Sequence, residues 1–187
     1  MRLRWIAAVL LLVPASACAS APPGAESFPT QAPLCGPGSA LGKVVITPVT
    51  RWRPDQKEPE VREAIAQKAI EAVAPAISCA SSVTVLPIAA NSTSAVTLAA
   101  ARKDGAKTVL FIRIDELGPI AVLSFPALWS TWSDVKFTLD AVDVQSSANV
   151  RSIPHRRQKG GTFEIRGLGP LQDEMEAALK DVILGVR

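Results

Sequence analysis

The side chains able to do chemistry in this chain are few: three cysteines, one histidine and no tyrosine in 187 residues. Cys18 stands in "PASACAS", directly after Ala15-Ser16-Ala17. A cysteine placed after small residues suits acylation following cleavage. Ala15 and Ala17 equally suit an ordinary secretory cut before Cys18. Cys35 and Cys79 remain. In an oxidising compartment an even pair predicts one disulfide; the alternative is a free Cys35 thiol with Cys79 as a small buried hydrophobe.

His155 lies in "PHRRQKGG", between basic residues and glycines. A catalytic histidine needs an orienting acid and a nucleophile in reach, and its sequence neighbours offer neither, so it reads as an exposed loop residue. The carboxylates of interest are Asp115 with Glu116, and Asp140 with Asp143. Paired acids can hydrolyse glycosides, but acids at strand ends are usually solvated. One histidine and two cysteines make no spaced metal motif. "GPGSALGK" precedes a strand, whereas a phosphate loop follows one. No catalytic residue, metal or cofactor is therefore expected. The run "RSIPHRRQK" carries Arg151, Arg156, Arg157 and Lys159. It reads either as a contact for anionic lipid headgroups or as a solvated hairpin tip.

The segment around Cys18 sets the compartment. Arg2 and Arg4 are followed by an apolar run from Trp5 to Val13, too short to span a membrane, so residues 1–17 read as a signal peptide. Residues 18–42 are rich in Pro, Ala, Gly and Ser, the composition of a tether, and residues 43–187 form one domain. Removing Arg2 and Arg4 with the leader lowers the 20 Lys and Arg to 18 against 17 Asp and Glu, a net charge of +1. No basic field remains to attract nucleic acid.

The elements that must position these residues follow in order. "KVVITPV" (43–49) reads as a buried strand. Pro59 opens a helix whose apolar face is expected at Val61, Ile65, Ala69, Val73 and Ile77, with Pro75 ending it. "SVTVLPI" is a second strand. A short Ala-rich helix capped near Asn91–Ser94 is terminated by Gly105. "KTVLFIRIDEL" (107–117) is a central strand covered on both faces, with Asp115 and Glu116 at its solvent exit. "VKFTLDAVDVQ" (135–145) alternates until its phase flips near Ala141, which predicts a bulge. "SSANVRSIPHRRQKGG" reads as a turn or ragged continuation, "TFEIRG" as the last strand, and Leu171, Met175, Leu179 and Val182 mark a closing helix. The fold class is α/β (α+β): a single mixed β-sheet in the order β-α-β-α-β-β-β-α, with helices packed on the sheet.

Between Gly118 and Ser133 no charge appears, and Phe125, Trp129 and Trp132 are prominent. Gly118, Pro119 and Pro126 argue against one regular element. Either these side chains fold back as a lid on the sheet edge, or they stay partly exposed as a docking patch for a partner or the membrane interface.

The order of elements, with "VVITPV", "AAARKDGAKTVLFIRIDELG" and "FTLDAVDVQSS", resembles a group of small bacterial envelope lipoproteins. The group includes the LpoB-type activators of peptidoglycan synthases, the curli-secretion lipoprotein and the N-terminal domain of the Tol-system periplasmic protein. Gly105-Ala106 and Asp143-Val144 match its pattern; Ser146-Ser147 stand where it has Thr-Gly. The resemblance implies a protein lipid-anchored through Cys18, on the outer membrane and facing the periplasm. It would act by protein–protein contact with an envelope partner, as accessory to a transport or cell-wall machine. The alternatives are a periplasmic solute- or glycan-binding or hydrolytic domain using the strand-end acids, and a plain secreted protein.

Overall fold

A computed structural model describes residues 31–88, 94–122 and 130–186. The chain forms β1 (Gly42–Thr50), α1 (Pro59–Val73), a 3-10 turn (Ala74–Ala76), β2 (Ala80–Val85), α2 (Ser94–Lys103), β3 (Thr108–Val122), β4 (Ser130–Asp143), β5 (Asn149–Thr162) and α3 (Leu171–Leu184). They build one five-stranded sheet in the order β2-β1-β3-β4-β5. β1 is parallel to both β2 and β3; β3, β4 and β5 form an antiparallel meander. The single mixed sheet with helices packed on it agrees with the sequence reading.

The connections dictate where the helices lie. From β1 the chain moves outward to β2, then back across β1 to β3. Right-handed crossovers in opposite directions place their helices on opposite faces of the sheet. α1 accordingly joins α3 over one face, in a core with Ile46, Leu110, Ile112, Ile114, Phe137 and Leu139. α2 covers the other face through Leu98 and Ala101, packed with Val45, Val109, Phe111 and Val142.

Several expectations are met. β3 is the central strand, and Val109, Leu110, Ile112, Ile114 and Leu117 have no exposed surface. The register of β4 on β5 shifts between Ala141 and Val142, where the phase flip predicts a bulge. Pro59 occupies the first turn of α1, which ends before Pro75. Gly105, at φ +70°, follows α2 in the left-handed conformation that glycine adopts without steric cost.

Others are corrected. The basic run is not a turn: β5 spans Asn149–Thr162, and residues 163–166 lie outside any strand. The apolar face of α1 is rotated, with Arg62, Ala66, Ala69, Ile70 and Val73 buried and Val61 46% exposed. Arg62 goes inward because its guanidinium donates to the Leu117 carbonyl and its Nε to that of Lys57, at 2.7 Å. β3 does not end at Asp115-Glu116 but runs on to Val122 past a bulge. Part of the supposed tether belongs to the domain: Leu34 N–H donates to the Val182 carbonyl (2.9 Å) and Cys35 N–H to that of Ile183 (2.8 Å).

Candidate functional site

The two ends of the sheet are built differently. At one end lie the start of β5 and the C-terminus of α3, and the chain enters there. Cys35 and Cys79 form the expected disulfide, 5.3 Å between Cα atoms. Leu34 is buried in the main core. The Arg151 guanidinium donates to the carbonyl oxygens of Pro33 (2.9 Å) and Ala32. Pro33 packs against Gly185, which ends α3 at φ +71°. Residues 32–35 thus lie beside the α3 C-terminus. Cys18 lies outside the described residues.

The opposite end is an arm. β1 stops pairing with β3 at Ile114, but β3 and β4 continue together to the pair Val122–Ser130, and β5 accompanies them to Thr162. Eight residues of β3 therefore run beyond their parallel neighbour, about 27 Å of strand. The base of the arm is fastened by charge. Arg53 Nε sits 3.0 Å from the carboxylate of Glu116, which is 8% exposed, and Arg62 holds the Leu117 carbonyl. Across the arm, Arg156 donates to Asp134 through Nε at 3.0 Å and Nη2 at 2.6 Å, and Gln158 Nε2 adds a contact at 3.3 Å. Asp134 is 1% exposed, so this carboxylate is desolvated and matched inside the arm.

Strand alternation assigns the faces. Thr131 and Ser133 share the α3 side, where Thr131 Oγ1 donates to the Glu164 carbonyl and accepts from Arg166 N–H at 3.0 Å. Ile120, Trp132 and Gly160 are register partners on the other side. That is the α2 face, but the apolar cluster of α2 includes nothing on β3 beyond Phe111. Ile120 and Trp132, both half-buried, form a cross-strand pair that belongs to neither apolar cluster among the described residues. A Cβ on Gly160 would stand 2.2 Å from the Thr131 carbonyl oxygen, so the bare glycine lets β5 close against β4 beside Trp132. Phe125 and Trp129 lie outside the described residues.

The basic run does not form one patch. Arg151 clamps the entering chain, and Arg156 is bound to Asp134 on the α2 face. Arg157 and Lys159 turn to the other face, lining a small depression with Arg166, Asp173 and Glu174. His155 is not an exposed loop residue. It lies on β5, 18% exposed, with its ring 5.4 Å from that of Phe137. Its Nε2 is 4.0 Å from Asp181 of α3, and burial pushes its pKa below 6.5, with Asp181 opposing and Arg157 assisting.

Three of the four acids, Glu116, Asp140 and Asp143, are engaged structurally. Asp140, 5% exposed, is ion-paired with Arg113 and accepts from Ser152 Oγ (2.5 Å) and Asn149 Nδ2 (3.3 Å). Asp143 accepts the Ser146 backbone N–H (2.8 Å) and hydroxyl (2.7 Å), which hold its carboxyl below the usual range and close the β4–β5 turn. Glu116 belongs to Arg53 rather than to solvent. Among the described residues no three His, Cys, Asp or Glu side chains are grouped to hold a metal, and no helix is long and apolar enough to cross a membrane. The burial of Glu116 and Asp134 was missed by sequence reasoning; the only signal was charge inside an otherwise apolar stretch.

No family model and no curated protein matches the chain. Solved structures do. It is 18% identical to the subunit of the PelC dodecamer from Paraburkholderia phytofirmans, covering 83% of this chain and 89% of that one (TM-score 0.44). It is 14% identical to lipoprotein GNA1162 from Neisseria meningitidis, over 76% and 97% of the two chains (TM-score 0.40). With the LpoB C-terminal domain from Salmonella enterica the identity is 11%, over 67% and 90% (TM-score 0.35). The neighbours thus include the kind of small envelope lipoprotein that the sequence resembles. At these identities and scores they carry no inference about activity.

Proposed function

We propose that the chain is an exported envelope protein, lipid-anchored through Cys18, that works by protein–protein contact through the arm at the far end of its sheet. The observation that carries this reading is the Ile120–Trp132 pair, set on a sheet face outside the apolar cluster of α2, on two strands that the apolar residues 123–129 join in the sequence. Aromatic side chains on a rigid, charge-fastened strand pair are the usual anchors of a protein interface. The chain enters at the opposite end of β5, beside Arg151. About eleven residues of strand, some 36 Å, separate that entry from the tip of the arm. An anchored domain can then hold the arm away from the membrane, which favours a protein partner over lipid headgroups. The splitting of Arg151, Arg156, Arg157 and Lys159 between separate contacts and faces points the same way. Binding in place of hydrolysis is supported by Asp140 and Glu116 being bound to arginines, and by the turn-closing role of Asp143.

The test is a fractionation experiment with two variants. Cys18→Ser should release a folded protein from membranes, because the acyl chains are the anchor. Trp132→Ala should leave the protein in the membrane fraction but lose its partner. Failure of a palmitate analogue to label the wild-type chain would remove the anchor from the reading.

A further inference from the structure

On the α2 face, between α2 and the β4–β5 edge, lies a cleft of about 330 Å³ lined by Val49, Arg51, Leu98, Phe111, Arg113 and Asp140, with Ser94, Ser147 and Asn149 at its rim. We propose that this cleft binds a small amphipathic monoanion, an apolar body bearing one carboxylate. The site is separate from the arm.

The sheet alternation builds it. Val49 and Arg113 are paired in register, as are Phe111 and Asp140, so these four side chains form adjacent rows of one face. Leu98 closes the side from α2. Val49, Leu98 and Phe111 supply the apolar lining and Arg51, Arg113 and Asp140 a few polar groups, which is the composition of small-molecule sites; the volume is at the lower end of their range. β1 and β2 send their helices to opposite faces, and the cleft reaches the carboxyl end of β1, where open α/β sheets place ligands.

Charge selects the ligand. Asp140 is committed: one oxygen takes Asn149 and Ser152, and the other takes Arg113. Arg113 is thereby oriented with part of its fork still open to the cleft, its side chain 34% exposed. Arg51 is exposed, and its guanidinium has no partner among the described residues. Two arginines against one carboxylate leave the lining with one positive charge in excess, which matches a monoanion. Thr47, the register partner of Phe111 on the same face, is 2% exposed with a hydroxyl that bonds to nothing among the described residues. A ligand or water reaching past Phe111 would satisfy it.

The test is calorimetric titration of the full chain with hexanoate and benzoate, compared with hexanol and inorganic phosphate. Ligands of this size bind with Kd in about the millimolar range at best. The expected result is saturable one-to-one binding of the carboxylates, at least about tenfold weaker for hexanol and for phosphate. Arg51→Ala should weaken hexanoate about tenfold, as expected for loss of one charge-assisted contact. Leu98→Trp should fill the cleft and abolish binding, with an unchanged circular dichroism spectrum. Arg157→Ala, on the opposite face, should bind as the wild type does. No saturable binding of either carboxylate overturns the proposal. So does binding that survives in a folded Leu98→Trp chain, or phosphate binding as tight as hexanoate. Trp132→Ala should not affect this titration, so failure here and failure of the arm as a docking site are distinguishable.

Discussion

Asp134 and Arg156 pair diagonally across β4 and β5, with Nη2 2.6 Å from Oδ2 and side chains 1% and 13% exposed. On this face of the arm the ion pair joins β4 to β5. Removing one member of a buried pair leaves a desolvated charge, which costs roughly 3–5 kcal/mol. Arg156→Ala should therefore lower unfolding free energy in urea by about 3 kcal/mol. Asp134→Leu combined with Arg156→Leu should lower it much less, because no lone charge remains. Equal losses in the two proteins would show that the pair is not buried as described.

The Cys35–Cys79 bridge closes a loop of 44 residues between the entering chain and the start of β2. Bridges of this kind contribute roughly 2–4 kcal/mol by restricting the unfolded chain. Reduction, or Cys35→Ser with Cys79→Ser, should cost that much in chemical denaturation. Because Leu34 is also tied to α3, reduction should loosen residues 33–41 first, seen as early deuterium exchange at the Leu34 and Cys35 amides.

His155 gives the domain a pH dependence of definite sign. Its folded pKa lies below 6.5 because burial disfavours the charged ring. Below about 6.5 the unfolded chain binds the proton more readily than the folded one. The stability it contributes is complete above that pH and is lost as pH falls toward the folded value. Asp181 works against the shift and Arg157 with it. The melting temperature should fall between pH 7.5 and pH 5, and His155→Gln should fall less over the same interval. An identical pH dependence in both would remove His155 as the cause.

Gly160 stands at φ +143°, with the Thr131 carbonyl 2.2 Å from where a Cβ would sit. Gly160→Ala forces a non-glycine residue into a backbone region worth about 1–3 kcal/mol of strain and into backbone, not into a movable side chain. It should destabilise by that order and loosen the arm selectively. Exchange of the Trp132 amide should accelerate while that of Leu110 stays protected. Uniform acceleration at both would mean that the arm and body are one cooperative unit.

How much of this was legible depended on whether burial was apolar. β3 and the inward face of β4 announce themselves as apolar runs, and the bulge at Ala141 shows as a broken alternation. β5 hides because its inward positions, Arg151, Ile153, His155 and Arg157, are mostly charged or polar, and Pro154 and Gly160 imitate a turn. The face of α1 was misassigned for the same reason: Arg62 looks like a solvent residue until the Leu117 carbonyl, left unpaired by the end of β1, is seen to need a donor. The Cys35–Cys79 pair is legible because only two cysteines remain beyond the leader pattern. The cleft was not, since Arg51, Arg113 and Asp140 come together only through strand register. Residues 123–129, with Phe125 and Trp129, lie outside what the structure describes.

On the proposed function, a partner docks on the arm. The most direct measurement is in-cell photocrosslinking from Ile120, the cross-strand partner of Trp132, compared with Ser82 on the edge strand β2, each with Trp132 or with Trp132→Ala. A discrete adduct is expected from Ile120 and none from Ser82. Trp132→Ala should abolish the Ile120 adduct while its melting temperature stays within about 2 °C of the parent, since an interface anchor contributes about 2 kcal/mol or more to association and little to the fold. Equal adducts from both positions, or loss of the adduct only with a large drop in melting temperature, would contradict it and assign Trp132 to the core.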